Sequence, residues 1–390
     1  MRIKVLNILI ISIVLSAFTW QKHTSKPFLD KEKVWVDSVY NSLTLDEKFG
    51  QLFMIAAYSN LGDKHQNEIA KIVSQYQIGG LIFMQGGPQR EAVLTNRYQK
   101  LSKVPLMIAM DAEWGPSMRL DSTINYPRQM VLGAMQNDSI MYEMGKQVAE
   151  QLTRIGVHIN FAPVIDVNSN PKNPVIGTRS FGENKHRVSD LGIAYSNGMQ
   201  DNYVMAVAKH FPGHGDTGSD SHLTLPVLKH SRQRMTDVEL FPFRKLFAAD
   251  VKGVMVAHLH VPVYDDRRNQ ATTLSKYVVT DLLQKEMGYK GLIFTDALGM
   301  QGVAKFHKPG EVDYLAYMAG NDVLLFSEDV PTAVKKLKKA YSARSRVLTV
   351  LGFKPRSCSC SMKALISFRV MVSRCFRPVV FKKFRKRMIA

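Results

Sequence analysis

An α/β fold, and within it a (β/α)8 TIM-type barrel forming a single catalytic domain, is predicted for the 390-residue sequence by three observations. Eight short apolar runs alternate with amphipathic stretches between residue 44 and about residue 340, the pattern of repeated strand and helix units. The runs are continuous in Val, Ile, Leu and Met without polar alternation, as strands of a parallel sheet buried on both faces require. Polar residues then collect just past the ends of those runs, where a barrel builds its working face.

The elements follow in order. The first twenty residues, MRIKVLNILIISIVLSAFTW, place Arg2 and Lys4 ahead of a long apolar stretch, the layout of a secretory signal peptide. An uncleaved anchor is the competing reading, but the stretch falls short of the ~20 residues that span a bilayer and is diluted by Asn7, Ser12 and Ser16. Export to a Gram-negative periplasm, or secretion, is the expectation, with no stable membrane span after cleavage. Thr44-Leu45-Asp46-Glu47 has capping-box spacing and opens the first helix of the barrel. Strands are expected at 52–57, 80–84, 106–110, 157–162, 205–209, 254–257, 292–295 and 323–326. Residues 138–154 read as a helix in which Ile140, Met144, Val148 and Leu152 recur at i, i+4. The absence of a Gly-rich dinucleotide fingerprint after the first strand disfavours an open doubly wound sheet. The expected division is therefore a signal peptide at 1–20, the barrel at 21–340 and a tail at 341–390.

Composition narrows the function classes. With 45% hydrophobic and 22% charged residues the chain reads as ordinary globular protein, which excludes wholesale disorder and collagen-like repeats. Most of the net charge of +19 belongs to the tail: residues 341–390 hold 13 Lys and Arg and no acid, leaving 39 basic against 33 acidic residues in 1–340. All three cysteines (Cys358, Cys360 and Cys375) also lie there, so the body has neither a disulfide framework nor a thiolate metal site. The tail reads either as a polybasic membrane or nucleic-acid segment or as a disordered or out-of-frame extension. The second reading is preferred, and no nucleic-acid partner is expected.

The chemistry gathers at strand ends. Asp111 follows the third strand, Asp166 and Arg179 lie in the connection after the fourth, Lys209 and His210 end the fifth, His258 the sixth and Asp296 the seventh. Residues 208–222 read AKHFPGHGDTGSDSH, a loop too rich in Gly and Pro for a helix and long for a strand-to-helix connection. Asp220 and His222 emerge on the same side of an extended segment, so the carboxylate can orient the imidazole and raise its basicity, as an acid/base dyad requires. His210, His214, Asp216, Asp220 and His222 are also possible metal ligands. Pro212-Gly213, however, removes the helix on which an i, i+4 histidine pair would meet a metal, so no metal is expected. Asp296 alone could cap the following helix. With a His-Asp dyad two strands away it could instead act as a nucleophile facing a separate proton donor.

KHFPGHGDTGSDSH, followed by LPVL and ELFPFRKL, together with VIGTRSFG, FTDALGM and MDAEWG, resembles glycoside hydrolase family 3, specifically its β-N-acetylglucosaminidase branch, over about residues 35–340. The resemblance implies a barrel that hydrolyses terminal β-linked amino sugars with retention and needs no cofactor. The residue matching Asp296 would attack the anomeric carbon, and His222, supported by Asp220, would replace the usual acid/base carboxylate. Asp111 would accept hydrogen bonds from sugar hydroxyls, and Arg179, Lys209 and His210 would donate to them. Structural alternatives stand beside two of these roles: Lys209 neutralising Asp296, and Arg179 partnering a buried Asp166. Trp114 stands where many members have glycine, which bears on the aglycone. A family 3 β-glucosidase or a non-catalytic sugar-binding barrel are the competing readings, and the DSH loop and the intact Asp296 speak against each in turn.

Overall fold

The computed structural model describes residues 27–350 apart from 136, 222, 223 and 309. The expected signal peptide and all but the first ten residues of the expected tail lie outside these described residues. Within them, eight parallel strands form one sheet: β1 (Phe53–Tyr58), β2 (Gly80–Gln85), β3 (Met107–Met110), β4 (Ile159–Asn160), β5 (Met205–Phe211), β6 (Gly253–Val256), β7 (Leu292–Thr295) and β8 (Leu324–Leu325). Each pairs with its neighbour in sequence from β1 to β7, β8 pairs with β1, and a parallel bridge between Phe294 and Val323 joins the two ends. The expected (β/α)8 barrel is the observed fold.

Strand alternation sorts the core into two layers. Met54, Met107, Met205, Met255, Phe161 and Phe294 belong to the group that fills the barrel interior, with the two rings edge to face at 5.3 Å. Unbranched Met side chains can fill an interior of irregular shape without strain. Intervening residues such as Ile55, Leu81, Ile108 and Val254 face outward and meet the helices. β4 is shorter than expected because its ladder stops at Asn160. The Asn160 side chain caps both backbone groups of Ala112, at 2.9 and 3.0 Å, and Pro163 soon follows without an N–H to donate.

The helices show where sequence patterns succeed and drift. Thr44 and Glu47 form the expected capping box before Leu45–Gly50. The helix expected at 138–154 is Ser139–Arg154, but its buried stripe runs through Met141, Met144, Val148 and Leu152, while Ile140 is 43% exposed. A strict i, i+4 row advances 40° per step around a 3.6-residue helix, so its first member rotates off the buried face. The last helix, Val330–Val350, crosses the boundary expected at 341. It buries Val330, Ala333, Val334 and Leu337 and sets Tyr341 edge-on to Phe49 at 6.0 Å. Among the described residues no helix is long and apolar enough to cross a membrane.

Candidate active site

The polar residues expected at strand ends meet at the C-terminal face of the barrel. Lys209, 2% exposed within β5, places its ammonium 2.8 Å from Asp111 Oδ1 and 2.8 Å from Glu113 Oε1. Arg179, at the end of the turn Gly177–Arg179, grips the fully buried Glu113 with two bonds of 2.9 and 2.7 Å. Arg119 completes the cluster 2.9 Å from Asp111 Oδ2. Burial works against the Glu113 carboxylate, but Arg179 and Lys209 outweigh it and hold the group far below the ordinary carboxylate range. The same opposition, with Lys209 and Arg119 as the cations, lowers Asp111. These carboxylates are therefore anions at neutral pH, and the bidentate Arg179 fork fixes the plane of Glu113.

A second buried carboxylate organises the start of the long loop. Asp166, fully buried, receives the His210 side chain at 2.7 Å, the His210 backbone N–H at 3.2 Å and the His214 backbone N–H at 2.6 Å. Arg179 Nη2 lies 3.2 Å from His210 Nε2. A hydrogen on His210 Nδ1, donated to Asp166, leaves Nε2 to accept from Arg179 and satisfies both contacts. Arg179 is thus a partner of Glu113, while the Asp166 carboxylate takes the histidine. Lys209 binds Asp111 and Glu113 directly, and its charge reaches Asp296 only as one of several weaker influences.

Asp296 follows β7, with its backbone N–H on Val256 O at 2.9 Å and its Oδ1 accepting from Ala297 N at 2.8 Å. Burial pushes its carboxyl up. His258, His210, the Ala297 amide and Lys209 together push it further down, so the group lies below the usual range and is anionic. His258 is itself locked between Thr273 Oγ1 at 2.8 Å and Ala297 O at 2.9 Å. The Ala297 amide bond engages one oxygen of the Asp296 carboxylate and leaves the other for chemistry. A mostly apolar cavity of about 790 Å³ opens beside Ala297, with Ile55, Met300 and Phe326 in its walls; Asp111, Lys209 and Arg179 do not line it.

The loop after β5 is seated by close backbone packing. A side chain at Gly215 would strike Val167 O at 1.9 Å, and Gly213 combines φ of 128° with contact against Glu239. Its middle carries an ionic group: Asp216 lies 2.9 Å from His230 and 3.7 Å from Arg234, whose guanidinium also bonds Glu239 and Ser169. Asp216, His230 and Glu239 stand close enough to share a metal ion, but Arg234 already supplies the cation that group would need. Asp220 accepts the Thr224 N–H on its backbone carbonyl at 2.9 Å. His222 lies outside the described residues, so the spacing of the expected dyad is not among the distances here.

Of the residues expected from sequence, Asp111, Arg179, Lys209 and His210 come together through Glu113 and Asp166, and Asp296 stands within their electrostatic reach. Glu113, Arg119 and His214 carry weight that the sequence reading did not assign. Glu113 had a signal, since it stands two residues beyond Asp111 in the same acidic strand end. Trp114, the departure from the family pattern, carries the Arg128 guanidinium over its ring at 4.4 Å.

Residues 44–347 match the glycosyl hydrolase family 3 N-terminal domain. The chain belongs to glycosyl hydrolase family 3. Among family 3 relatives, beta-hexosaminidase A of Pseudoalteromonas piscicida is 35% identical over 291 residues, covering 69% of this chain and 48% of that protein. A beta-hexosaminidase of Alkalilimnicola ehrlichii is 32% identical over 289 residues, covering 71% and 82%. In structure, the family 3 beta-N-acetylglucosaminidase from Paenibacillus sp. str. FPU-7 superposes with a TM-score of 0.76 at 33% identity, covering 86% of this chain and 63% of that one. The chain thus spans about half the length of the first of these curated relatives.

Proposed function

We propose that this family 3 chain is an exported, retaining exo-β-N-acetylglucosaminidase that removes terminal β-linked GlcNAc from peptidoglycan-derived or other amino-sugar glycans. The observation that carries the reading is Asp296, an anion at a strand end, lying within reach of the field of Lys209, His210 and His258. The beta-hexosaminidase names of the relatives support the substrate class.

In the first step Asp296 attacks the anomeric carbon while His222 passes a proton to the departing glycosidic oxygen, so the C–O bond breaks as a glycosyl–Asp296 ester forms. In the second step His222 takes a proton from water, the oxygen attacks the anomeric carbon and the Asp296 carboxylate leaves. Asp220 orients the imidazole and stabilises its charged form. Asp111 accepts from sugar hydroxyls. Arg179 and Lys209 spend most of their donors on carboxylates and His210 gives its N–H to Asp166, so their main contribution is to hold Asp111 and the strand-end cluster rigid, with the donors that remain on Arg179 and Lys209 reaching the sugar. Export rests on the apolar leader at 1–20.

The test is hydrolysis of chromogenic β-GlcNAc and β-glucose substrates. Turnover of β-GlcNAc with release of the β-anomer is expected. Asp296→Ala should lower turnover by roughly four orders of magnitude or more, and a slow fluorinated substrate should label Asp296 in mass spectrometry. Preference for β-glucose, or label on another carboxylate, would overturn the reading.

A further inference from the structure

By sequence His214 stands out only as a possible metal ligand, and it has no part in the chemistry of Asp296 and His222. Its surroundings are nonetheless specific. The residue is 1% exposed and held on its backbone from two sides: Asp166 Oδ1 takes its N–H at 2.6 Å, and Asn173 Nδ2 donates to its carbonyl at 2.8 Å. Its ring then reaches two hydroxyls further along the same loop, with Nδ1 2.8 Å from Thr217 Oγ1 and Nε2 2.9 Å from Ser221 Oγ. Thr217 and Ser221 are themselves buried.

We propose that His214 is a positioning residue that fastens the 215–221 loop to the barrel wall through Ser221, the residue between Asp220 and His222, and so sets where the acid/base pair is delivered. This rests on the dyad reading given above. Three features carry it. The ring bonds close a loop that contains Gly215 and Gly218, whose backbone freedom would otherwise leave the dyad less well placed. Thr217 Oγ1 also donates to the His214 carbonyl at 3.1 Å, so the pattern is complete when Nδ1–H donates to Thr217 and Nε2 accepts from Ser221. Burial, with His210 adding to it, pushes the imidazole down to about 4, which keeps Nε2 an acceptor at neutral pH. Asp166 gives the arrangement a further consequence, because it bonds both His210, which meets Arg179, and His214 at the start of the loop. One carboxylate therefore ties sugar-binding geometry to proton delivery.

The experiment compares leaving groups. Ser221→Ala, His214→Gln and His222→Ala are assayed on a β-GlcNAc disaccharide and on an aryl β-GlcNAc with a dinitrophenolate leaving group, which needs no proton. General acid catalysis contributes about 10²- to 10⁴-fold, and misplacing the acid should forfeit part of that. The expected result for Ser221→Ala and His214→Gln is a kcat/KM loss on the order of 10- to 100-fold on the disaccharide and under about 3-fold on the activated substrate. The double variant should be little worse than the worse single one, because both remove the same link. If His214→Gln does not fold, Ser221→Ala decides alone, since it deletes a single hydroxyl. Equal losses on both substrates, or none on either, while His222→Ala does discriminate between them, would overturn the role of His214. A His222→Ala enzyme that fails to discriminate would overturn the dyad reading itself.

Discussion

The ion-paired wall at the strand ends and the loop after β5 are held together by opposite means. In the wall, Asp111, Glu113, Arg179 and Lys209 neutralise one another by direct ion pairs at 2.7–2.9 Å, with Glu113 and Lys209 almost wholly removed from water. In the loop, the buried contacts run through a neutral imidazole, two hydroxyls and backbone groups, and the Asp216, His230 and Arg234 side chains stay partly solvated. A wall of buried ion pairs cannot move without exposing unpaired charge, whereas hydroxyl contacts cost far less to break. The comparison teaches which part of the site is rigid and which part can adjust around a sugar.

The largest effect should come from breaking the wall. Glu113→Leu takes a carboxylate from the buried Lys209 and from the half-buried Arg179, and stability should fall by about 3–5 kcal/mol in urea unfolding. A loss below about 1 kcal/mol would show that the wall is solvated like the loop and would remove the contrast.

Acid titration should separate the two regions. The folded His214 is held at about 4 against an ordinary value near 6.5, so the unfolded chain binds its proton first as pH falls. Its stabilising contribution is complete above pH 6.5 and is lost as pH drops toward 4, the facing groups being His210, Asp166 and Asp296. Asp111 and Glu113 are lowered, so their contribution persists until pH falls below the ordinary carboxylate range. His158 is also held at about 4 and Glu91 at about 8, so the His214 share is read as the difference between the wild type and His214→Gln: measured in unfolding from pH 7 to pH 3, that difference should shrink as pH falls from 6.5 toward 4, while the later carboxylate loss is common to both proteins. A difference that does not change with pH would contradict the assignment.

The smallest effect should come from the exposed ionic group. Asp216→Asn keeps shape and removes one charge from a pairing that water screens, so stability should change by about 0–1 kcal/mol. A larger loss would move Asp216 into the rigid class with Glu113.

The strand periodicities, the capping box at Thr44 and the strand-end positions of Asp111, Lys209 and Asp296 are local properties, and the sequence by itself determined them, because each depends on neighbours within a few residues. The same locality explains the errors. A row of apolar residues at i, i+4 does not reveal which edge the barrel will cover, so the row begun at Ile140 takes in an exposed residue and passes over the buried Met141. Only the tertiary structure decided that Glu113 would meet Arg179 across 66 residues, that Asp166 would take His210 in place of Arg179, and that the last helix would return Tyr341 to Phe49. The physical reason is that an ion pair is chosen by distance and burial once the barrel has closed, and no spacing along the chain encodes that choice. His214 shows both halves. Its place in KHFPGHG is plain in the sequence, but the hydroxyls of Thr217 and Ser221 that give it a purpose reach it only when the loop folds back onto its own buried ring.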